Sequence, residues 1–213
     1  MITDERIASF INSFNSDYDD TVTAIRKEAE DGGVPIIRKE AGEFIKLLLM
    51  IKKPKRILEI GTAVGFSAIF MSRFLVDGGH ITTIENYEKR IVAARKNIKM
   101  AGAEDAITLL EGDANDILDE LSGSYDMIFM DAAKGQYGSF FEKSVRLLEK
   151  DGILLCDNVL QDGDVLESRY AVTRRNRTIH SRMRAYLYDI KHHPELETAI
   201  LNIGDGMSLS IRK

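Results

Sequence analysis

The 213-residue chain contains one cysteine, Cys156, so no disulfide can close within it. That cysteine lies in an apolar run, and a chain without bridges points to a reducing, cytoplasmic setting. Only three prolines occur and no segment is low in complexity, so little disorder is expected. No apolar run approaches the roughly 18–20 residues that a membrane-spanning helix needs. The opening MITDERIASF is acidic and amphipathic, without the basic-then-apolar order of a secretion signal. Membrane partners are therefore not expected. Positive charge is also in deficit. A formal net charge of −5 argues against sequence-blind affinity for nucleic acid. What remains is a chain of a length that suits one α/β domain, residues 1–213, better than two.

The charge deficit is uneven. Arg169, Arg174, Arg175, Arg177, Arg182 and Arg184 crowd one segment together with His180, and no acid appears between Glu167 and Asp189. The bland reading of such a run is a solvated helix face. The sharper one is a local phosphate-binding surface.

Residues 3–53 read as helical throughout and form an N-terminal extension of the domain. Ile7, Phe10, Ile11 and Phe14 keep helical spacing, as do Val22, Ile25 and Ala29. Gly32-Gly33 interrupts the pattern, and Pro35 is expected to restart it. Beyond Pro54 the pattern alternates. Short apolar runs at Arg56–Ile60, His80–Ile84, Ala106–Leu110, Met127–Met130 and Ile153–Cys156 read as strands. Amphipathic stretches at Val64–Val76, Tyr87–Met100, Asn115–Leu121 and Phe140–Leu148 read as helices between them. Strands separated by single helices imply a parallel sheet with right-handed crossovers. Thr198–Ile203 and Met207–Ile211, joined through Gly204-Asp205-Gly206, read as a hairpin. The expected fold is thus α/β and Rossmann-like: a mixed seven-stranded sheet with a C-terminal antiparallel hairpin and extra N-terminal helices. That order resembles the plan of class I methyltransferases.

Ligands of open α/β sheets bind beyond the carboxyl ends of the strands. The first strand runs into Glu59-Ile60-Gly61-Thr62-Ala63-Val64-Gly65-Phe66-Ser67. Gly61 and Gly65 would let backbone approach a ligand where a Cβ would clash. Glu85 ends the second strand, where a carboxylate can accept both hydroxyls of a ribose. Glu111-Gly112-Asp113-Ala114 ends the third. Asp113 there can meet an adenine amino group, or simply cap the following helix. Each signal alone is weak, and the three together indicate a nucleoside-bearing cofactor. The loop lacks the middle glycine of G-x-G-x-x-G, which counts against NAD.

The fourth and fifth strands end in Asp131-Ala132-Ala133-Lys134 and Asp157-Asn158. Asp131, Asp157 and Asn158 should emerge side by side. Two carboxylates and an amide oxygen suit a hard cation such as Mg²⁺. Either Asp alone is more simply an ordinary strand-end acid. Lys134 reads blandly as a surface lysine, or sharply as a general base or oxyanion support near an acceptor hydroxyl.

At these residues the chain resembles the cation-dependent O-methyltransferases of the catechol and caffeoyl-CoA type, from about Val34 to Ile211. The carrying motifs are E-I-G-T-A-V-G-F-S, D-A-A-K and D-N. The resemblance implies S-adenosylmethionine as cofactor, Asp131, Asp157 and Asn158 as metal ligands, and Lys134 as catalytic. It further implies Glu85 and Asp113 on the adenosine, and Val34 to Ile37 against the methionine part. Glu59, Gly61, Thr62, Gly65, Ser67, Gly112, Ala114 and Asp131 complete the expected cofactor site. Closer still, the chain resembles the bacterial tRNA 5-hydroxyuridine methyltransferases, through Val34-Pro35-Ile36, D-A-A-K-G-Q-Y, D-N-V-L, the arginine segment and the terminal H-P-E-L-E-T-A-I…G-D-G-M-S-L-S. That likeness implies the tRNA anticodon loop as partner, held by Arg174, Arg175, Arg177, Arg182 and Arg184. A homodimer is expected from the family and from the spare apolar N-terminal helices. Ala132-Ala133 and the absence of tryptophan depart from the catechol enzymes. The leading expectation is methylation of a wobble 5-hydroxyuridine. The alternatives are methylation of a small hydroxylated aromatic, or a non-catalytic cofactor- or RNA-binding module.

Overall fold

The computed structural model describes residues 5–213, so the first two residues of the expected helical segment at 3–53 lie outside it. That segment is three helices rather than one continuous pattern: α1 (Glu5–Asn12), α2 (Asp20–Asp31) and α3 (Lys39–Lys52). Asp19 caps α2 by accepting from the Val22 N–H at 2.9 Å. Gly33, at φ 63°, ends it as the glycine pair suggests. Pro35 does not restart a helix. Residues 34–38 stay irregular and α3 begins only at Lys39, because Arg38 is extended (φ −68°, ψ 155°).

The alternating region follows the expected order. The strands are β1 (Arg56–Ile60), β2 (His80–Glu85), β3 (Ile107–Glu111), β4 (Tyr125–Met130) and β5 (Leu148–Cys156). Between them run α4 (Phe66–Ser72), α5 (Glu88–Met100), α6 (Ala114–Glu120) and α7 (Tyr137–Leu147). After β5 come α8 (Arg177–His192), β6 (Leu196–Leu201) and β7 (Met207–Arg212). The helix expected at Val64–Val76 is trimmed to α4, since Gly65 adopts a left-handed φ of 83° at its start and turns follow Ser72.

One seven-stranded sheet results, in the order β3-β2-β1-β4-β5-β7-β6. The first five strands are parallel, while β7 pairs antiparallel with both β5 and β6. Strands buried on both faces read as continuous apolar runs, and residues 127–130 of β4 and 153–156 of β5 do so. Ile57, Phe129 and Leu155 face one apolar layer with α2, α3 and α4. Leu58, Ile128 and Leu154 face the other, with α7 and α8. The chain leaves β1 towards β2 on one side and later returns to β4 on the other. The carboxyl ends of β1 and β4 therefore frame a topological switch point. No helix among the described residues is long and apolar enough to cross a membrane.

Candidate methyl-transfer site

A cavity of about 660 Å³ opens at that switch point. Its wall draws on every parallel strand end: Gly61 and Ala63 after β1, Glu85 at β2, Gly112, Asp113 and Ala114 after β3, Asp131 to Lys134 after β4, and Asp157-Asn158 after β5. The structure thus brings together most of the residues expected from sequence.

Gly61 has a strict reason to be glycine. Its φ is 103°, and a Cβ there would overlap the Asp131 carbonyl. The turn after β1 is consequently pressed against the end of β4. Glu85 is buried and fully engaged. One carboxylate oxygen accepts from the Ala63 N–H at 2.8 Å, and the other accepts from Asn86 and Tyr87 at 3.0 Å each. It ties the loop after β1 to the turn after β2, and it lines the cavity. Asp113 caps α6, accepting from the Asn115 N–H at 2.8 Å, and also lines the cavity. The capping reading and the wall position therefore coexist.

Glu59, Thr62, Gly65, Ser67, Val34 and Ile37 do not line the cavity. For Glu59 this corrects the expectation, and strand alternation is the cause. Glu59 shares the face of Ile57, beneath α4, while Ile60 points to the cavity side. There Thr83 donates to Glu59, and the Thr62 hydroxyl bonds Thr83 at 2.6 Å. Burial pushes the Glu59 carboxyl up to about 7, against the lowering hydrogen bonds from Ser67 and Thr83. Pro35 and Ile36 reach the wall in place of Val34 and Ile37.

On the other side, Asp131 and Asp157 follow Met130 and Cys156, which are register partners in β4 and β5. Burial pushes Asp131 up to about 6, opposed by Lys134 and Arg90. Burial pushes Asp157 up to about 7, reinforced by Asp131 and by Asp205. Tyr137, buried at the start of α7, locks these strand ends together, donating to the Asp157 carbonyl at 2.7 Å. Asn158 follows in a left-handed conformation with φ 56°.

Among the described residues no three His, Cys, Asp or Glu side chains form a ready metal cage. The candidate set is two carboxylates plus one amide, and it fits a hard divalent cation. Two crowded carboxylates hold more negative charge than their surroundings solvate, and Mg²⁺ takes few protein ligands, leaving positions for water or substrate.

Several wall residues carried no usable sequence signal: Arg38, Asn86, Arg90, Asp162 and Asp205. Asp205 read only as the polar turn of a hairpin, yet it is buried and pairs with Lys134 at 3.3 Å. The arginine segment divides. Arg182 donates to the Gly135 carbonyl at 3.0 Å, Arg184 to Val165 at 3.0 Å, and Arg177 to Tyr170 at 3.5 Å. These three brace local backbone. Arg174 and Arg175 are exposed and have no protein partner among the described residues.

A doubly wound parallel sheet ending in an antiparallel pair, with its cavity at the switch point, is the Rossmann-like methyltransferase fold. Residues 16–213 match the family model described as O-methyltransferase, and the chain belongs to that family. It is 35% identical over 169 residues to a catechol O-methyltransferase of Niastella koreensis, covering 76% of each chain. It is 30% identical over 216 residues to a catechol O-methyltransferase of Mycobacterium tuberculosis, covering 96% of this chain and 94% of the relative. The O-methyltransferase of Bacillus cereus, solved in complex with SAH, superposes with a TM-score of 0.86 at 26% identity, over 98% of this chain and 97% of that one. The chain is accordingly an enzyme, an S-adenosylmethionine-dependent O-methyltransferase.

Proposed function

We propose that the enzyme transfers the methyl group of S-adenosylmethionine to the 5-hydroxyl of 5-hydroxyuridine at the tRNA wobble position, giving 5-methoxyuridine. The observation that carries this reading is the free pair Arg174-Arg175. The pair lies in the turn segment between the loop that leaves Asp157-Asn158 and α8. Asp162 of that loop lines the cavity, and Arg182 of α8 braces the backbone next to Lys134. A base entering the cavity would keep its flanking phosphates outside, where exposed guanidinium groups can hold them.

Asp131, Asp157 and Asn158 would hold Mg²⁺. The bound ion would acidify and orient a hydroxyl that sits beside a second oxygen, as the 5-hydroxyl sits beside the C4 carbonyl. The wall at Gly61, Glu85 and Asp113 would receive the nucleoside part of the cofactor. Lys134 stands on the acceptor side and takes up the hydroxyl proton or stabilises the oxyanion. With S-adenosylmethionine bound, the oxygen would be the nucleophile and the sulfonium methyl the group transferred. The C–O bond forms as the S–C bond breaks, leaving S-adenosylhomocysteine. Holding the two reactants in this alignment can supply up to about 7–11 kcal/mol of the barrier reduction.

Catechols present the same pair of adjacent oxygens, and the names of the two relatives favour them as a second reading. Mass spectrometry of nucleosides from tRNA carrying 5-hydroxyuridine, after incubation with methyl-labelled cofactor, decides between the two. Labelled 5-methoxyuridine supports the tRNA reading. Ready methylation of catechol with none of the tRNA overturns it. The exposed apolar residues Ile7, Phe10 and Ile11 of α1, with Met50 and Ile51 of α3, support a homodimer. Sedimentation at micromolar concentration tests this, and a monomer there would refute it.

A further inference from the structure

We infer that Asp205, in the turn of the C-terminal hairpin, is a positioning residue for methyl transfer: it fixes the Lys134 side chain at the acceptor side of the cavity. The inference rests on the reading of Lys134 as the group nearest the acceptor hydroxyl, and goes beyond it by naming what aims that lysine.

Lys134 sits in a single 3-10 turn, Lys134–Gln136, with one third of its side chain exposed. A long flexible side chain on such a turn has no intrinsic reason to hold one rotamer. Asp205 supplies the reason. Its side chain is only 7% exposed, and one carboxylate oxygen lies 3.3 Å from the Lys134 amine, across 71 positions of sequence. The other oxygen accepts the backbone N–H of Asp162. The Asp205 carbonyl accepts from Leu160 and the Gly206 carbonyl from Val159, each at 3.0 Å. Gly206, at φ 82°, permits this seam, since a Cβ there would overlap Leu160. Asp205 therefore has a rigid base of its own: the hairpin is stitched to the loop that follows Asp157-Asn158. A buried carboxylate needs a compensating partner, and Lys134 is the cation placed to provide it. The pair makes the geometry around Lys134 depend on the C-terminal hairpin.

The two carboxylate oxygens have separate tasks, so Asp205→Asn separates them. The amide oxygen can still accept from Asp162, whereas the amide nitrogen cannot pair with an ammonium. With the acceptor that the wild type methylates, Asp205→Asn should lower kcat by about ten- to a hundredfold, while KM for S-adenosylmethionine stays within about twofold. Asp205→Glu should recover part of the loss. In a Lys134→Ala background, Asp205→Asn should cost little more, because the group it aims is gone. A second readout needs no acceptor. Lys134, freed from its partner, should acetylate with N-acetoxysuccinimide several-fold faster in Asp205→Asn than in the wild type, measured by peptide mass spectrometry. An unchanged labelling rate, or an equal loss of kcat with and without Lys134, would overturn the proposal. Full activity of Lys134→Ala would overturn it through the Lys134 reading itself, a result distinct from failed labelling.

Discussion

At the end of β2 the Glu85 carboxylate accepts three backbone N–H groups, whereas Asp131 and Asp157, which follow the register partners Met130 and Cys156, are pushed up by burial. The first side of the cavity is satisfied from within the chain. The second is a pair of buried carboxylates raised chiefly by desolvation, with Lys134 opposing the shift in both. The contrast fits a division of labour: a preformed cradle for the nucleoside, and a reacting centre whose charge is completed by what binds there. The second side is also tied to a distant part of the chain by the ion pair of Lys134 with Asp205.

The sharpest break in this contrast is on the reacting side. Asp157→Ala should lower kcat by at least about a hundredfold while leaving the thermal midpoint at or above that of the wild type, because a crowded buried charge is removed. Steady-state kinetics and a melting curve check both halves. A destabilised but active variant would make Asp157 a structural residue.

On the cradle side activity and stability should fall together. Glu85→Ala removes a ligand acceptor and leaves three backbone N–H groups unpaired. Affinity for S-adenosylhomocysteine should drop about ten- to a hundredfold by calorimetry, with a lower melting temperature. Unchanged affinity would move the ribose site elsewhere.

Beneath the cradle, Glu59 gives a pH signature. Its folded-state value of about 7 exceeds the ordinary 4.5, so the native state binds the extra proton. Stability contributed by that proton is fully present below about pH 4.5 and is lost as pH rises through 7. Glu59→Gln should abolish this loss and raise stability near pH 8 by up to about 3 kcal/mol. Parallel pH profiles of the two melting points would disprove it.

The smallest effect is expected at the rim. Arg174→Ala with Arg175→Ala should raise KM for tRNA and flatten its salt dependence, by about 0.7–0.9 in the log–log slope for each phosphate no longer neutralised. Activity on free catechol should not change. Normal tRNA kinetics in the double variant would leave the segment a solvated surface.

How much of this was legible in sequence depended on the range of the interactions. The five parallel strands and the Asp-Gly hairpin were readable because apolar runs and turn chemistry are local. So were the residues at the strand ends, since an open α/β sheet delivers them to one edge whatever its details. The start of α3 was not legible: Pro35 is compatible with a helix, and the extended Arg38 that delays it belongs to an irregular stretch whose Pro35, Ile36 and Arg38 line the cavity. Glu59 was misplaced because a motif names a residue without saying which face of β1 it takes. Asp205 and the braces made by Arg177, Arg182 and Arg184 are tertiary interactions, and only the folded chain brings Gly135 to Arg182 or Lys134 to Asp205.

The division of labour across the cavity is tested most directly by measuring both sides in one buffer. Calorimetry of S-adenosylhomocysteine and turnover with labelled S-adenosylmethionine would be run with Mg²⁺ and again in excess chelator. The account predicts that cofactor affinity changes by less than about threefold while turnover vanishes in chelator and returns with the ion. Full turnover in excess chelator would contradict it.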